Sequence, residues 1–212
     1  MAISQASGNA GLNPGIYTSS TRPASPADGL VISETDTDSL VVYKGTAWAP
    51  VSALTLIKTQ TIGSAVSTVT VSDAFSTTYD NYRVIISGGA NSADASIALA
   101  LGATATGYYG GCGFIRYSDA ATVFRSDNNA AAWMRAGGGN TNTLSMNLDI
   151  IQPFNAKPTL VFGTKVDSGT AGASGAMTGF LNNTTSYTAF TISVDAGTMT
   201  GGTVFVYGYA KV

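Results

Sequence analysis

Histidine is absent from the chain, cysteine occurs once, and among the acidic residues only Glu34 is a glutamate, the rest being aspartates. Without histidine, and with one cysteine, zinc sites built on those ligands cannot be assembled. Ser-His-Asp and Cys-His catalysis fall with them. Cys112, in Gly110-Gly111-Cys112-Gly113, has no partner for an internal disulfide and no imidazole to activate it, so it reads as a small inert thiol. Charge is scarce as well: 10% of residues are charged, well below the usual quarter. The ten Lys and Arg residues are scattered singly. A nucleic-acid partner needs a basic footprint, so none is expected. No apolar run approaches the roughly eighteen residues of a membrane span, which argues against membrane insertion. The N-terminus lacks the basic and apolar regions of a signal peptide, so synthesis in a cytoplasm is expected.

What the chain has instead is glycine (25 residues), alanine, serine and threonine, with a hydrophobic fraction of 44% and a net charge of −2. That mixture disfavours long amphipathic helices and suits strands joined by tight turns. So little charge on so apolar a chain implies that part of its surface is covered by partners.

Period-two alternation dominates from residue 53 onward. Tyr82, Val84 and Ile86 alternate with Arg83, Ile85 and Ser87. Leu144, Met146, Leu148 and Ile150 alternate with Ser145, Asn147 and Asp149. Ile97, Leu99 and Leu101 alternate with alanines, while Leu160, Phe162 and Val166 share one face of a strand over Thr159 to Asp167. Phe190, Ile192 and Val194 face the core, and Val204 to Tyr209 closes the domain. Phe114 to Tyr117 and Ala121 to Phe124 form a hairpin around Ser118-Asp119. Gly102–Gly113 and Gly137-Gly138-Gly139-Asn140 read as glycine-rich connecting segments. Nine or ten strands at regular intervals predict an all-β fold: a β-sandwich over residues 53–212.

Thr21 to Val51 is organised differently. Pro23 and Pro26 hold its start extended. Leu30-Val31-Ile32, Leu40 to Tyr43 and Ala47 to Val51 then predict a three-stranded meander with a polar turn at Glu34 to Ser39. Trp48 and Tyr43 belong to its packing. The meander occupies residues 21–52, and residues 1–20, rich in Ser, Gly, Asn and Ala, are expected to form an extended N-terminal arm that orders on contact with a partner.

The pattern T-R-P-x-S-P-x-D-G-L-x-I-x-E-T-D-T-x-x-L-x-V-Y-x-G-x-x-W over Thr21–Trp48 resembles a segment of tailed-bacteriophage virion proteins, near the N-termini of fibre, spike and minor structural chains. Downstream, Leu56 to Ile62, Tyr79-Asp80-Asn81-Tyr82-Arg83 and Val206-Tyr207-Gly208-Tyr209 resemble the C-terminal β domains of phage adsorption and capsid-surface proteins. The resemblance implies a jelly-roll-like sandwich and a non-enzymatic fibre- or spike-type virion protein. It implies attachment to other virion proteins through residues 1–52, a homotrimer, a role in host adsorption, and assembly in the bacterial host cytoplasm. A capsid decoration (head fibre) protein and a carbohydrate-binding module are the alternatives. No catalytic residues and no cofactor come with it.

Few side chains offer chemistry. Most aspartates lie in turns, where they bond their own backbone; Asp149, on the polar face of a strand, is the carboxylate to watch for acid–base work. Glu34-Thr35-Asp36-Thr37-Asp38 spaces carboxylates like the opening of a calcium loop but lacks the glycine and the distant glutamate, and reads as a solvated turn. Asn183-Thr184-Thr185 reads as a turn. Tyr108, Tyr109 and Trp133 lie in or near glycine-rich stretches, with Asn128, Asn129 and Asn140 close in sequence. Aromatic faces beside amides are what a glycan site uses, so these three rings are the candidate ligand-binding residues. The competing reading, which large rings favour, is that they pack the ends of the sandwich or a subunit contact.

Overall fold

The computed structural model of the chain describes residues 14–168 and 172–210. The described residues are all β, in two compact units that divide between Thr55 and Leu56.

The first unit is a four-stranded sheet with strands β1 (Gly15–Tyr17), β2 (Val31–Glu34), β3 (Ser39–Tyr43) and β4 (Trp48–Pro50), in that order. β2, β3 and β4 form the expected antiparallel meander. β1 adds a strand parallel to β2, with Gly15 opposite Ile32, so part of the expected arm belongs to this sheet. The rest of the arm, residues 1–13, lies outside the described residues. Ile32 and Val41, directly opposite each other, are buried. Tyr43 and Trp48 pair with ring centroids 5.4 Å apart.

Glu34 corrects the expectation of a solvated turn. It ends β2 and is only 1% exposed. Its carboxylate accepts hydrogen bonds from Nε and Nη2 of Arg22 and from the Thr37 hydroxyl. Asp36 in turn accepts from the Ser19 amide at 2.9 Å and from its hydroxyl. Arg22, Glu34, Asp36 and Thr37 of the recognised pattern are therefore the polar clasp of this small sheet, which has too few apolar residues to hold itself by burial alone.

The second unit holds fourteen strands. They are β5 (Leu54–Thr61), β6 (Thr68–Val71), β7 (Asn81–Ser87), β8 (Ala90–Asn91), β9 (Ala95–Leu101), β10 (Tyr108–Arg116), β11 (Thr122–Ala130), β12 (Trp133–Asn140), β13 (Thr143–Ile151), β14 (Thr159–Val166), β15 (Ala173–Leu181), β16 (Phe190–Val194), β17 (Met199–Thr200) and β18 (Thr203–Tyr209). One layer runs β5-β18-β7-β13-β14-β15-β10-β11 and the other β12-β9-β16-β6. β13 joins them. Its residues Met146 to Ile151 pair with β7 on one edge. On the other edge Thr143 to Met146 pair with β12, and Asn147 to Ile151 pair with β14. The strand thus starts in the small sheet and ends in the large one.

If the β14–β15 hairpin and the added β5 and β18 are set aside, eight longer strands remain. Counted in chain order from β6, they lie as first-eighth-third-sixth in one sheet and second-seventh-fourth-fifth in the other. That interleaving of two Greek keys is the jelly-roll winding. Between the layers lies one core, with Val69, Leu99, Trp133, Phe190 and Ile192 from the small sheet against Val84, Leu148, Val161, Met177, Leu181 and Val206 from the large.

Two glycine-rich segments expected to be connections are strands. Tyr108 to Gly113 lies within β10, paired on both sides, and Gly137 to Asn140 lies within β12. Their glycines serve close packing. A Cβ on Gly110 would come within 3.1 Å of the Thr178 carbonyl oxygen and 3.5 Å of the Trp133 indole, and one on Gly138 would overlap the Asp167 carboxylate. These positions carry no side chain because a group from another strand occupies that space.

Candidate functional site

The three rings singled out from the sequence do not make one surface. Tyr108 and Trp133 are wholly buried, edge to face with centroids 5.0 Å apart and planes at 87°. The Tyr108 hydroxyl accepts from the Leu101 amide at 2.7 Å, and burial pushes its pKa up to about 12. Tyr109, one residue on, points to the opposite face of β10 and stacks on Phe180 at 5.2 Å. Strand alternation separates the two tyrosines. The expected exposed glycan platform of Tyr108, Tyr109 and Trp133 is thus corrected: two of its rings fill the core.

Asp149 does sit on an outward face, but it is engaged. Tyr209 donates to it at 2.5 Å and an Arg83 nitrogen lies 3.8 Å away. Asn81, Ile151, Phe162 and Tyr209 share the shallow hollow beside it. Cys112 is buried, and burial pushes its thiol pKa up, away from the reactive thiolate. Among the described residues no group of three metal-ligating side chains could hold an ion.

A cleft of about 250 Å³ at one end of the sandwich gathers Asp94, Ser96, Asn140, Lys165, Asp167 and Asp195. Lys165, on the inward face of β14, is 6% exposed; its ammonium lies 3.1 Å from Asp167 and 3.4 Å from the Ser96 hydroxyl. Burial raises the Asp167 pKa, an effect the adjacent ammonium opposes. Asp195 accepts from the Ser96 amide at 2.8 Å. Lys165 pairs with Oδ2 of Asp167, whose Oδ1 is buried without a hydrogen-bond partner, and no aromatic ring lines the cleft to receive a sugar face. These contacts fit an electrostatic latch that ties β14 to β9 and β9 to the residue after β16.

An unpartnered apolar surface lies on the outer face of β14, β15, β10 and β11. Their outward side chains leave Phe124 77%, Ile115 50%, Val166 49%, Phe162 46%, Phe180 40% and Leu160 39% exposed. Register makes these one surface. Leu160, Phe180 and Tyr109 form one cross-strand row, and Val166, Ser174 and Ile115 another, two steps beyond the row of Phe162, Thr178 and Gly111. Phe124 lies opposite Gly113, its ring covering the space a Cβ would take there, whereas nothing lies within 4 Å above Gly111. Ser, Thr, Ala and Gly, with Asn128 on β11, fill the remaining outward positions of these four strands, and none is charged; the exposed Arg116 and Arg125 alternate onto the other face of β10 and β11. Monomeric soluble proteins rarely expose a contiguous apolar surface of this kind, and such patches mark interaction sites.

Sequence alternation correctly put Leu160, Phe162 and Val166 on one face of β14. It could not say that this face looks outward while Thr159, Val161 and Lys165 point into the sandwich.

The fold is a jelly-roll-like all-β sandwich with an exposed apolar face on its large sheet. No family model, curated protein or solved structure matches the chain.

Proposed function

We propose that the protein is a non-enzymatic structural component of a tailed-bacteriophage particle, of the fibre or spike type, that acts in host adsorption. Residues 1–52 would attach it to other virion proteins, and the sandwich would assemble with its sister copies as a homotrimer. The observation that carries this reading is the uncharged apolar sheet face on a chain with almost no candidate reaction chemistry. The separate N-terminal sheet supports it, since the virion-like pattern supplies that unit's Arg22–Glu34 clasp.

Electron microscopy tests it directly. Antibodies against the purified chain should label particles produced by the genome that encodes it. Label at the tail supports the fibre or spike assignment. Label spread over the head would replace it with capsid decoration, and absence of the chain from purified particles would overturn the virion role.

A further inference from the structure

We propose that the charge-free outer face of β14, β15, β10 and β11 is the contact surface for a second copy of this chain. The assignment rests on the reading of the protein as one that works in several copies; it adds which surface the copies use and which side chains lead the contact.

Charge and shape select the occupant. When a face meets a copy of the same surface, any charge on it is brought near its own kind or buried unpaired, so identical copies are best accommodated where the face carries no charge. On the large sheet that condition separates two regions. Outward positions on β7 and β13 carry Arg83 and Asp149, tied to each other and to Tyr209, whereas those on β14, β15, β10 and β11 carry no charge. A strongly basic or acidic partner would find no counter-charge on that second region.

The same region holds both a projection and a recess. Phe124 stands on the last strand of the sheet and is the most exposed of the large apolar side chains. Two strands in from it, on β15, Ala176 and Thr178 lie level with Gly113 and Gly111 of β10, giving a low strip with open space over Gly111. Phe162 borders the strip from β14. A surface that carries an aromatic knob and a glycine-floored hollow can receive a copy of itself, the knob of one filling the hollow of the other. Gly111 is paired on both sides in a nine-residue strand, so turn geometry does not account for it, and unlike Gly113, which the Phe124 ring covers, nothing of this chain lies over it; a flat floor for an incoming ring does account for it.

The test is the mass of the full chain in solution by light scattering or sedimentation. The wild-type protein should associate to a multiple of 21.5 kDa at micromolar concentration. Phe124→Glu combined with Phe162→Glu should raise the dissociation constant at least about 100-fold and yield the monomer, with unchanged far-ultraviolet dichroism and melting of the monomeric unit. Phe124→Ser, which removes the ring without adding charge, should weaken association by a smaller factor. Thr70→Glu, on the exposed face of β6, should leave the mass unchanged. A wild-type chain that stays monomeric at high concentration overturns the proposal, as does a double variant that folds and keeps the wild-type mass. A monomer that still labels particles would sink this inference and leave the virion role standing; an oligomer absent from particles would do the reverse.

Discussion

Arg22 and Glu34, twelve residues apart, meet through two parallel hydrogen bonds on a carboxylate that is almost wholly removed from water. The arginine remains about a third exposed. The pair therefore joins the segment before β2 to the end of β2 and fixes the small sheet's outline. A forked guanidinium suits this better than an ammonium, because both carboxylate oxygens are engaged at once.

Replacing Glu34 by Gln should destabilise the N-terminal unit by about 1–3 kcal/mol, because a charged, doubly bonded acceptor becomes a neutral amide. The cost also depends on pH. Arg22 holds the Glu34 carboxyl below its ordinary value near 4.5. A depressed folded-state pKa contributes stability that is present above that value and is lost as pH falls through the lower, folded one. Wild type should therefore lose N-terminal stability below about pH 4.5 more steeply than Glu34→Gln. Trp48 fluorescence, read in a Trp133→Phe background, reports the unit alone; equal acid profiles for the two proteins would refute the role given to the pair.

Gly138→Ala should destabilise the sandwich by about 1–3 kcal/mol, since the new methyl meets the Asp167 carboxylate. The double variant with Asp167→Ala should be non-additive by more than about 0.5 kcal/mol, because the obstructing group is gone. Denaturant unfolding of the four proteins measures this, and strict additivity would mean that Lys165, whose Cε would lie 2.9 Å from the new methyl, resists it rather than Asp167.

Trp133→Ala should cost about 3–5 kcal/mol as a wholly buried ring leaves a cavity between the sheets. Tyr108→Phe should cost about 1–3 kcal/mol by stranding the buried Leu101 amide. Neither ring offers a face to solvent, so glycan-array binding, if wild type shows any, should survive Tyr108→Phe. Loss of binding with full retention of stability would restore the ligand role.

Cys112 should resist thiol reagents in the folded protein and react rapidly once the chain is denatured, because burial both shields the sulfur and disfavours its thiolate. Fast labelling under native conditions would show that β10 opens locally, against its pairing on both sides with β11 and β15.

Much of this architecture is legible in the residues. β13 alternates buried and half-buried positions throughout, as Leu144, Met146, Leu148 and Ile150 require. The meander from β2 to β4 lies close to where its β-branched runs and turns put it. Glycine misled in β10 and β12. As a turn former it argues locally for a connection, and only the Phe124 ring over Gly113 or the Asp167 carboxylate against Gly138 shows why a side chain is missing. Aspartate misled likewise: Asp94, Asp167 and Asp195 are distant in sequence and share a cleft only through folding.

Alternating apolar residues, scarce charge and the absence of histidine determined by themselves that the chain is all β and lacks histidine-based chemistry. Tertiary structure alone decided the strand order, the crossing of β13 between the sheets, and which apolar face of β14 is covered. The reason is physical. A strand's period says that two faces differ, whereas long-range pairing with strands far away in the chain settles which of them meets the core and which is left to meet something else.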